Sequence, residues 1–223
     1  MPASSPLSSA RAEATRAALV RSGLDLFGTK GFEATSTREI AARAGANVAA
    51  IAYHFGGKDG LRTACADFIA STIGDVFACA RRASANIETL SPNEARDQLA
   101  RIAETLIDAI VARAEAGPIV RFVLREMFEP SAAFERLYGA IRPMHGQACA
   151  IWASATGAEP ESEATRLTVF SLIGQIIYFR LARPAVLRRM EWVEIGPHEA
   201  AAIKRQVIAN LDAAIAHARK TPP

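Results

Sequence analysis

The chain has 223 residues, half of them hydrophobic, and a formal net charge of +3. That apolar content is ample for a packed core and excludes an intrinsically disordered protein, while the length suits one large or two modest domains. The sequence pI of about 9.0 is mildly basic, which permits nucleic-acid binding without requiring it.

The N-terminal residues predict a short arm followed by an amphipathic helix. Residues 1–10, MPASSPLSSA, lack the apolar core of a signal peptide and are expected to form a disordered arm. Residues 15–27 place Leu19, Leu26 and Phe27 at helical spacing. We therefore expect the first ordered element to be a helix that ends before the GTKGFEATS segment.

Two short helices joined by a tight turn are predicted over residues 36–55. Ser36, with Glu39 three positions later, forms a capping box in which each side chain bonds the other residue's backbone. Gly45 ends the first helix because glycine adopts positive φ readily. Asn47 is a suitable N-cap for the second helix.

The spacing of Ala41, Gly45 and Ile51 is that of a helix-turn-helix. A small residue lets the two helices approach, a glycine turns the chain, and an aliphatic side chain fills the shared core. By itself this spacing also fits an ordinary αα-hairpin in a helical protein. The flanking residues are needed to distinguish the two interpretations.

The remainder of the chain predicts successive helices without strand alternation. A helix from about Lys58 to about Ala85 would span roughly 40 Å, enough to connect two domains. Later helices are expected over about 92–116, 118–129, 132–155, 162–182 and 198–219, with a kink or break at Pro143 and a short helix after Pro184. The predicted fold class is all-α.

The residues around the two short helices resemble those of a known family. Phe-x-x-x-G-F-x-x-T-S-x-x-x-I-A-x-x-A-G, followed by Y-H-F-x-x-K-D-x-L, is similar to the TetR/AcrR family of bacterial transcriptional repressors. The resemblance covers residues 11–71 without a gap. It implies a three-helix DNA-binding domain there, and a larger helical ligand-binding and dimerisation domain over residues 72–223.

Three segments of the C-terminal half resemble one subgroup of that family. They are GPIVRFVLREMFEPS, IRPMHGQACAIW and SLIGQIIYFRLARP. The subgroup has the C-terminal domain typified by the regulator of cefoperazone and chloramphenicol sensitivity. The resemblance implies control of efflux or membrane-transport genes.

The second helix of the motif is expected to enter the major groove of double-stranded DNA. Its first turn presents short side chains, which reach base edges and thymine methyl groups but make no bidentate bonds to guanine. Reading would then depend on apolar contacts, on Arg38 and Tyr53, and on DNA shape. The candidate DNA-binding residues are Thr37, Arg38, Asn47, Val48, Ala49, Ala50, Tyr53, His54 and Lys58.

One position departs from the family pattern. Many members carry a tyrosine directly after the aliphatic plug, where this chain has Ala52. The phosphate contact of that tyrosine is then either absent or made by Tyr53. Structural alternatives also apply to three candidates: Thr37 as a helix cap, His54 as a partly buried side chain and Lys58 as a solvated one.

The family resemblance implies a homodimer that reads the two half-sites of a palindromic operator. The candidate interface residues, for which an intramolecular core is the alternative, are Phe170, Ile173, Gly174, Ile177, Val207, Leu211 and Ile215. A pocket for a small-molecule effector is expected between the long helix from about Lys58 and the C-terminal helices. Its candidate residues, each of which also fits a core or interface role, are Arg121, Phe122, Arg125, His145, Trp152, Gln175, Tyr178 and Phe179.

Other functional classes lack support in the sequence. The odd number of cysteines (Cys65, Cys79 and Cys149) has no C-x-x-C pair, and the histidines show no i, i+4 pairing. We expect buried reduced thiols, no metal and no cofactor. Enzymatic motifs are absent, so no catalytic activity is expected. An architectural DNA-binding protein without a ligand is disfavoured by the large C-terminal half.

A membrane location is not expected either. The most apolar run, residues 167–179, is flanked by Arg166 and Arg180. It is shorter than the roughly 20 apolar residues of a membrane-spanning helix. We predict a buried helix there and a cytoplasmic protein.

Overall fold

A computed structural model of the chain describes residues 6–81 and 90–220, with the side chains of 6–9, 76, 77 and 79–81 excepted. Every regular element in these ranges is helical and no strand occurs among them, so the predicted all-α fold class is confirmed. The side chain of Cys79 and the predicted end of the long helix, residues 82–85, lie outside the described residues.

Ten α-helices follow one another in the described residues, with one π-helical turn after the fifth. They are α1 (Pro6–Lys30), α2 (Thr37–Arg43), α3 (Ala49–Phe55), α4 (Lys58–Arg81), α5 (Pro92–Leu106), the π-helical turn (Ile107–Ala112), α6 (Ala116–Phe128), α7 (Ala132–Thr156), α8 (Glu163–Leu181), α9 (Arg183–Met190) and α10 (Pro197–Lys220).

The chain packs as two compact units. The first comprises the described residues up to Thr72 together with Pro118–Gly139, and the second comprises Ile73–Gly117 and the residues from Ala140 onward. The sequence predicted a single division after residue 71. The structure differs because most of α6 packs with the N-terminal helices, through contacts that no local pattern encodes.

The predicted disordered arm is corrected in its second half. Residues 6–10 form the first turns of α1, and residues 1–5 lie outside the described residues. Proline is tolerated in the first turn of a helix. The alanines at positions 10, 12 and 14 have the highest helix propensity. The helix therefore extends beyond the amphipathic pattern by which it was predicted.

The first unit has a core of aliphatic and aromatic side chains from α1, α2, α3, α4 and α6. Phe27 and Phe122 are both buried, with ring centroids 6.4 Å apart. Gly28 lies where α6 approaches α1: a Cβ atom there would lie 2.9 Å from the carbonyl oxygen of Pro118. A glycine at this position therefore allows the two helices to come together.

The core of the second unit is formed mainly by α5, α7, α8 and α10. Val207, Leu211 and Ile215 are buried in it, so the stripe on α10 is part of the intramolecular core. Their assignment to a dimer interface is corrected. An amphipathic stripe indicates only that one helix face is covered and does not identify what covers it.

Ser91 and Glu94 form a complete capping box at the start of α5. The backbone N–H of Ser91 donates to Glu94 Oε2 at 2.8 Å, and the backbone N–H of Glu94 donates to Ser91 Oγ at 3.4 Å. Hydrogen bonds from Ser91 hold the pKa of the Glu94 carboxyl below its ordinary value.

Two helix boundaries differ from the predicted ones. The helical stretch that begins at Pro92 ends at Ala112, before the predicted boundary near residue 116. Arg180 donates to the carbonyl oxygens of Arg113 and Ala114 at 3.2 and 3.1 Å, so these acceptors need no helical partner. In contrast, α7 runs from Ala132 to Thr156 with Pro143 inside it, so the helix is not broken at the proline.

Arg96 and Asp212 join α5 to α10. The Nε and Nη2 atoms of Arg96 each donate to one carboxylate oxygen of Asp212 at 2.7 Å, which is a bidentate pair. These bonds hold the pKa of the Asp212 carboxyl below its ordinary value. Because both side chains are partly exposed, the net contribution to stability is small.

We predict that Gly28→Ala lowers the free energy of unfolding by about 1–3 kcal/mol, because the added methyl group meets backbone atoms of α6. Gly139→Ala is the matched control, since it lies inside α7 of the same unit with no atom near its Cβ position. It should raise stability by about 0.5–1 kcal/mol. Urea unfolding measures both, and equal effects would contradict the close approach.

We predict that Asp212→Asn destabilises the protein at pH 7 by at most about 1 kcal/mol. A carboxyl with a depressed pKa in the folded state stabilises the fold above its ordinary pKa of about 3.9, and the contribution is lost as the pH falls through the folded value. The difference between variant and parent should therefore shrink below about pH 4. Urea unfolding at several pH values measures it, with Glu104→Gln on α5 as the control for an exposed carboxylate. A pH-independent difference would contradict the ion pair.

Candidate DNA-binding site

Short-range hydrogen bonds determine where α2 and α3 begin and end. Ser36 Oγ accepts the backbone N–H of Glu39 at 3.2 Å, which confirms Ser36 as the N-cap and assigns no cap role to Thr37. The reciprocal half of the predicted box is not made, since the Glu39 carboxylate pairs with Lys30. Gly45 has a φ of 63°, and the turn ends α2 there.

Asn47, the predicted N-cap of α3, lies one residue before the N-cap position, which is Val48. The Oδ1 atom of Asn47 accepts the backbone N–H of Ala49 at 2.9 Å. Ile40 and Ala41 of α2 and Ile51 of α3 are buried where these two helices pack against each other and against α1. The helix-turn-helix prediction is thereby confirmed, and the alternative of an unspecialised αα-hairpin is left without support.

The outer face of α3 and the residues before it project into solvent. Tyr53 is 83% exposed and Val48 is 44% exposed. Asn47, Ala49 and Ala52 are also exposed, whereas Ala50 is half-buried. Residues 47–55 carry mostly short side chains and no acidic group.

Basic and polar candidates surround that face. Arg38 is exposed in the first turn of α2, and Thr37 is half-buried beside it. His54 is half-buried, with its ring 4.9 Å from that of Tyr53 in an edge-on arrangement. Lys58 begins α4, and its Nζ atom lies 4.1 Å from the centroid of the Phe32 ring.

Several residues near this surface were not predicted from the sequence. The guanidinium of Arg16 lies 5.6 Å from the centroid of the Phe55 ring, at the end of α3. The guanidinium of Arg62 lies 4.6 Å from the same Phe32 ring that faces Lys58. The four-residue spacing of the two α4 cations was visible in the sequence, but the aromatic ring they share was not.

Charged contacts from α6 hold the C-terminal end of α1. Arg125 donates to the carbonyl oxygens of Gly28 and Thr29 at 3.0 and 3.1 Å. Arg121 lies 3.6 Å from the carboxylate of Asp25, which also pairs with Arg43 of α2. These two arginines were predicted as pocket residues. The structure assigns them to the packing of the first unit, together with the buried Phe122.

The other five pocket candidates lie in the second unit. Trp152 is in the core, and Phe179 packs against a core cluster. Gln175 accepts from Asn210 at 2.8 Å, and Tyr178 is exposed. His145 stacks on Phe170 with ring centroids 3.9 Å apart. None of these five side chains lines the open groove of this unit. That groove has a volume of about 410 Å³ and is lined instead by Asp108, Ala112, Arg113, Ile195, Gly196, Pro197, Ala200, Ala201 and Lys204.

Two cysteines are described, and both are buried free thiols, as expected. Burial raises the pKa of the Cys65 thiol, and the nearby Glu126 carboxylate raises it further. Within the described residues no three histidine, cysteine or acidic side chains are grouped so as to hold a metal ion. In the same ranges no single helix is long and apolar enough to span a membrane. Only α8 and α9 taken together have that length and composition, and they are bent by 76° at the break between them.

Comparison with known proteins identifies the family. Residues 11–65 match the model of the bacterial regulatory proteins of the tetR family, and residues 95–217 match the C-terminal domain of the HTH-type transcriptional dual regulator CecR. The chain belongs to the TetR family of transcriptional regulators. The resemblance drawn from the sequence is thereby confirmed, including its CecR-type C-terminal domain.

Individual relatives support the same assignment. The HTH-type transcriptional dual regulator CecR of Shigella flexneri is 32% identical over 211 residues, which cover 93% of this chain and 94% of that protein. The probable HTH-type transcriptional regulator YttP of Bacillus subtilis is 32% identical over 114 residues, which cover 51% of this chain and 50% of YttP. This TetR-family member is a DNA-binding transcriptional regulator and not an enzyme.

Solved structures share the fold at low sequence identity. AibR in complex with isovaleryl coenzyme A and operator DNA matches with a TM-score of 0.65 and 14% identity, over 88% of this chain and 97% of AibR. SCO4454, a TetR-family regulator from Streptomyces coelicolor, matches with a TM-score of 0.66 and 15% identity, over 93% of this chain and 97% of its own.

Proposed function

We propose that this regulator is a cytoplasmic, ligand-responsive repressor that binds a palindromic operator as a homodimer and controls efflux or transport genes. The observation that carries the proposal is the exposed, acid-free face of α3 on a helix-turn-helix whose own core is complete. A regulator that both represses and activates transcription is the second candidate, favoured by the name dual regulator of the Shigella flexneri relative.

The short side chains of α3 would lie against base edges in the major groove. Val48 and Ala49 offer apolar contact to thymine methyl groups and no bidentate hydrogen bonds. Arg38 and the highly exposed Tyr53 are then the side chains with enough reach to discriminate bases or to follow groove shape. Specificity therefore depends on few direct bonds.

Phosphate contacts would hold the two helices in register on the duplex. Lys58 supplies a cation at the start of α4, and Thr37 lies at the N-terminus of α2, where backbone N–H groups favour an anion. His54 and Asn47 flank the same face. Such contacts provide affinity and orientation and carry no base sequence.

A second copy of the chain would cover an exposed apolar stripe on α8. Leu167, Phe170, Tyr178 and Leu181 are all large and about half exposed, and Gly174 lies between them. Their spacing places them along one side of the helix. A stripe of this kind suits the self-complementary interface of a two-fold dimer, and Ile173 and Ile177 border it, half-buried.

Regulation would follow from a small molecule that binds one DNA-binding state of the dimer better than the other. AibR, which shares this fold, binds both isovaleryl coenzyme A and operator DNA. For this chain His145 on α7 and Gln175 and Phe179 on α8 remain candidate effector contacts, whereas Tyr178 lies on the stripe that the second copy would cover.

The DNA contacts make a prediction about base preference. On DNA taken from upstream of the protein's own gene, Lys58→Ala should weaken binding to all sequences alike and reduce the salt slope by about 1. Ala49→Ser should instead change the preferred base, by roughly 1–3 kcal/mol per base pair.

Salt-titrated binding to the natural DNA and to single-base variants measures both effects. Lys220→Ala removes the same charge from the last turn of α10 and should leave the slope unchanged. If Lys58→Ala altered base preference, the phosphate assignment would be wrong.

The α8 stripe predicts the outcome of a charge introduced into it. Phe170→Asp should raise the dimer dissociation constant by roughly a hundredfold or more, because an unpaired carboxylate would be buried in an apolar interface. Val193→Asp, at a highly exposed position off the stripe, is the control and should leave the dimer intact. Sedimentation velocity at several concentrations distinguishes them. A dimer unaffected by Phe170→Asp would place the interface elsewhere.

A further inference from the structure

Glu126 is a buried carboxylate that makes none of the proposed DNA contacts. It is only 2% exposed, on α6, in the core of the first unit. Its Oε1 atom accepts from Arg62 Nε at 2.6 Å, and its Oε2 atom accepts from Ser131 Oγ at 2.7 Å. A buried ion pair of this kind adds little net stability relative to an apolar pair, so stability alone does not account for it.

Arg62, the partner of Glu126, lies beside the same aromatic ring as Lys58, which is a proposed DNA contact. The guanidinium of Arg62 lies 4.6 Å from the centroid of the Phe32 ring, and the ammonium of Lys58 lies 4.1 Å from it. Lys58 and Arg62 are four residues apart on α4, so their like charges repel. The Glu126 carboxylate offsets that repulsion, and the ring attracts both cations.

We propose that Arg62 and Glu126 are positioning residues for Lys58. The ion pair holds Arg62 against Phe32, the fixed ring then holds the Lys58 ammonium, and Lys58 is thereby presented to a DNA phosphate. This inference rests on the proposed function, in which Lys58 contacts phosphate. Its new content is that a residue of α6, outside the matched DNA-binding region of residues 11–65, sets the geometry of a DNA contact.

The test uses the full-length protein and DNA from upstream of its own gene. Each phosphate contact accounts for roughly a 3.5-fold loss of affinity between 50 and 200 mM salt. Glu126→Gln keeps the size of the side chain and removes its charge, so it should lower the salt slope by about 1. Glu129→Gln is the matched control: it removes the same charge from an exposed position three residues away and should leave the slope unchanged.

A double-variant comparison separates positioning from a merely structural role. In a Lys58→Ala background, Glu126→Gln should cause no further fall in the slope, since the contact it positions is already gone. Glu126→Asp retains the charge and should retain most of the slope. Stoichiometric titration at low salt gives the active protein concentration, so partial unfolding does not imitate a change in slope.

If Glu126→Gln does not fold, the double variant Arg62→Gln, Glu126→Gln replaces it, because it leaves no uncompensated buried charge. This double variant should also lower the salt slope of DNA binding by about 1, and it should do so only when Lys58 is present.

Two results would overturn the inference while leaving the proposed function intact. Lys58→Ala could lower the slope while Glu126→Gln leaves it unchanged, or Glu126→Gln could steepen it by releasing Arg62 to a phosphate of its own. If Lys58→Ala itself leaves the slope unchanged, the phosphate contact of the proposed function fails first, and the inference with it.

Discussion

The close packing of α2 and α3 around Ile51 is the constraint on which the DNA-reading surface depends. Ala41 is small enough for the helices to meet, and Gly45 adopts the positive φ that turns the chain between them. Because these inward positions are occupied by apolar side chains, the opposite face of α3 is necessarily turned outward. The face carries Val48 and Tyr53, so packing within the motif determines which residues are exposed for the proposed DNA contacts.

Helix α6 extends this unit beyond the residues that carry the family motif. Phe122 enters the core beside Phe27, Arg125 bonds the end of α1, and Glu126 bonds Arg62 of α4. These contacts come from one helix, so they act together: displacement of α6 would release all of them.

Local features of the fold were predictable from sequence, and long-range ones were not. Each of three side chains, those of Ser36, Asn47 and Ser91, accepts a hydrogen bond from a backbone N–H group two or three residues later. The residue types alone therefore indicate where the helices begin. The Arg62–Glu126 pair joins residues 64 positions apart, and no periodicity indicates such a partner. For the stripe of α10, periodicity predicted a covered face correctly but could not distinguish an intramolecular core from a dimer interface.

Specific regulation requires that this small face of α3 recognise a particular DNA sequence. The most direct measurement is the ratio of dissociation constants, at physiological salt, for DNA upstream of the protein's own gene and for unrelated DNA of the same length. We predict that the upstream DNA binds at least about a thousandfold more tightly. Equal affinity for the two would show that binding is electrostatic and sequence-independent, and would contradict specific regulation.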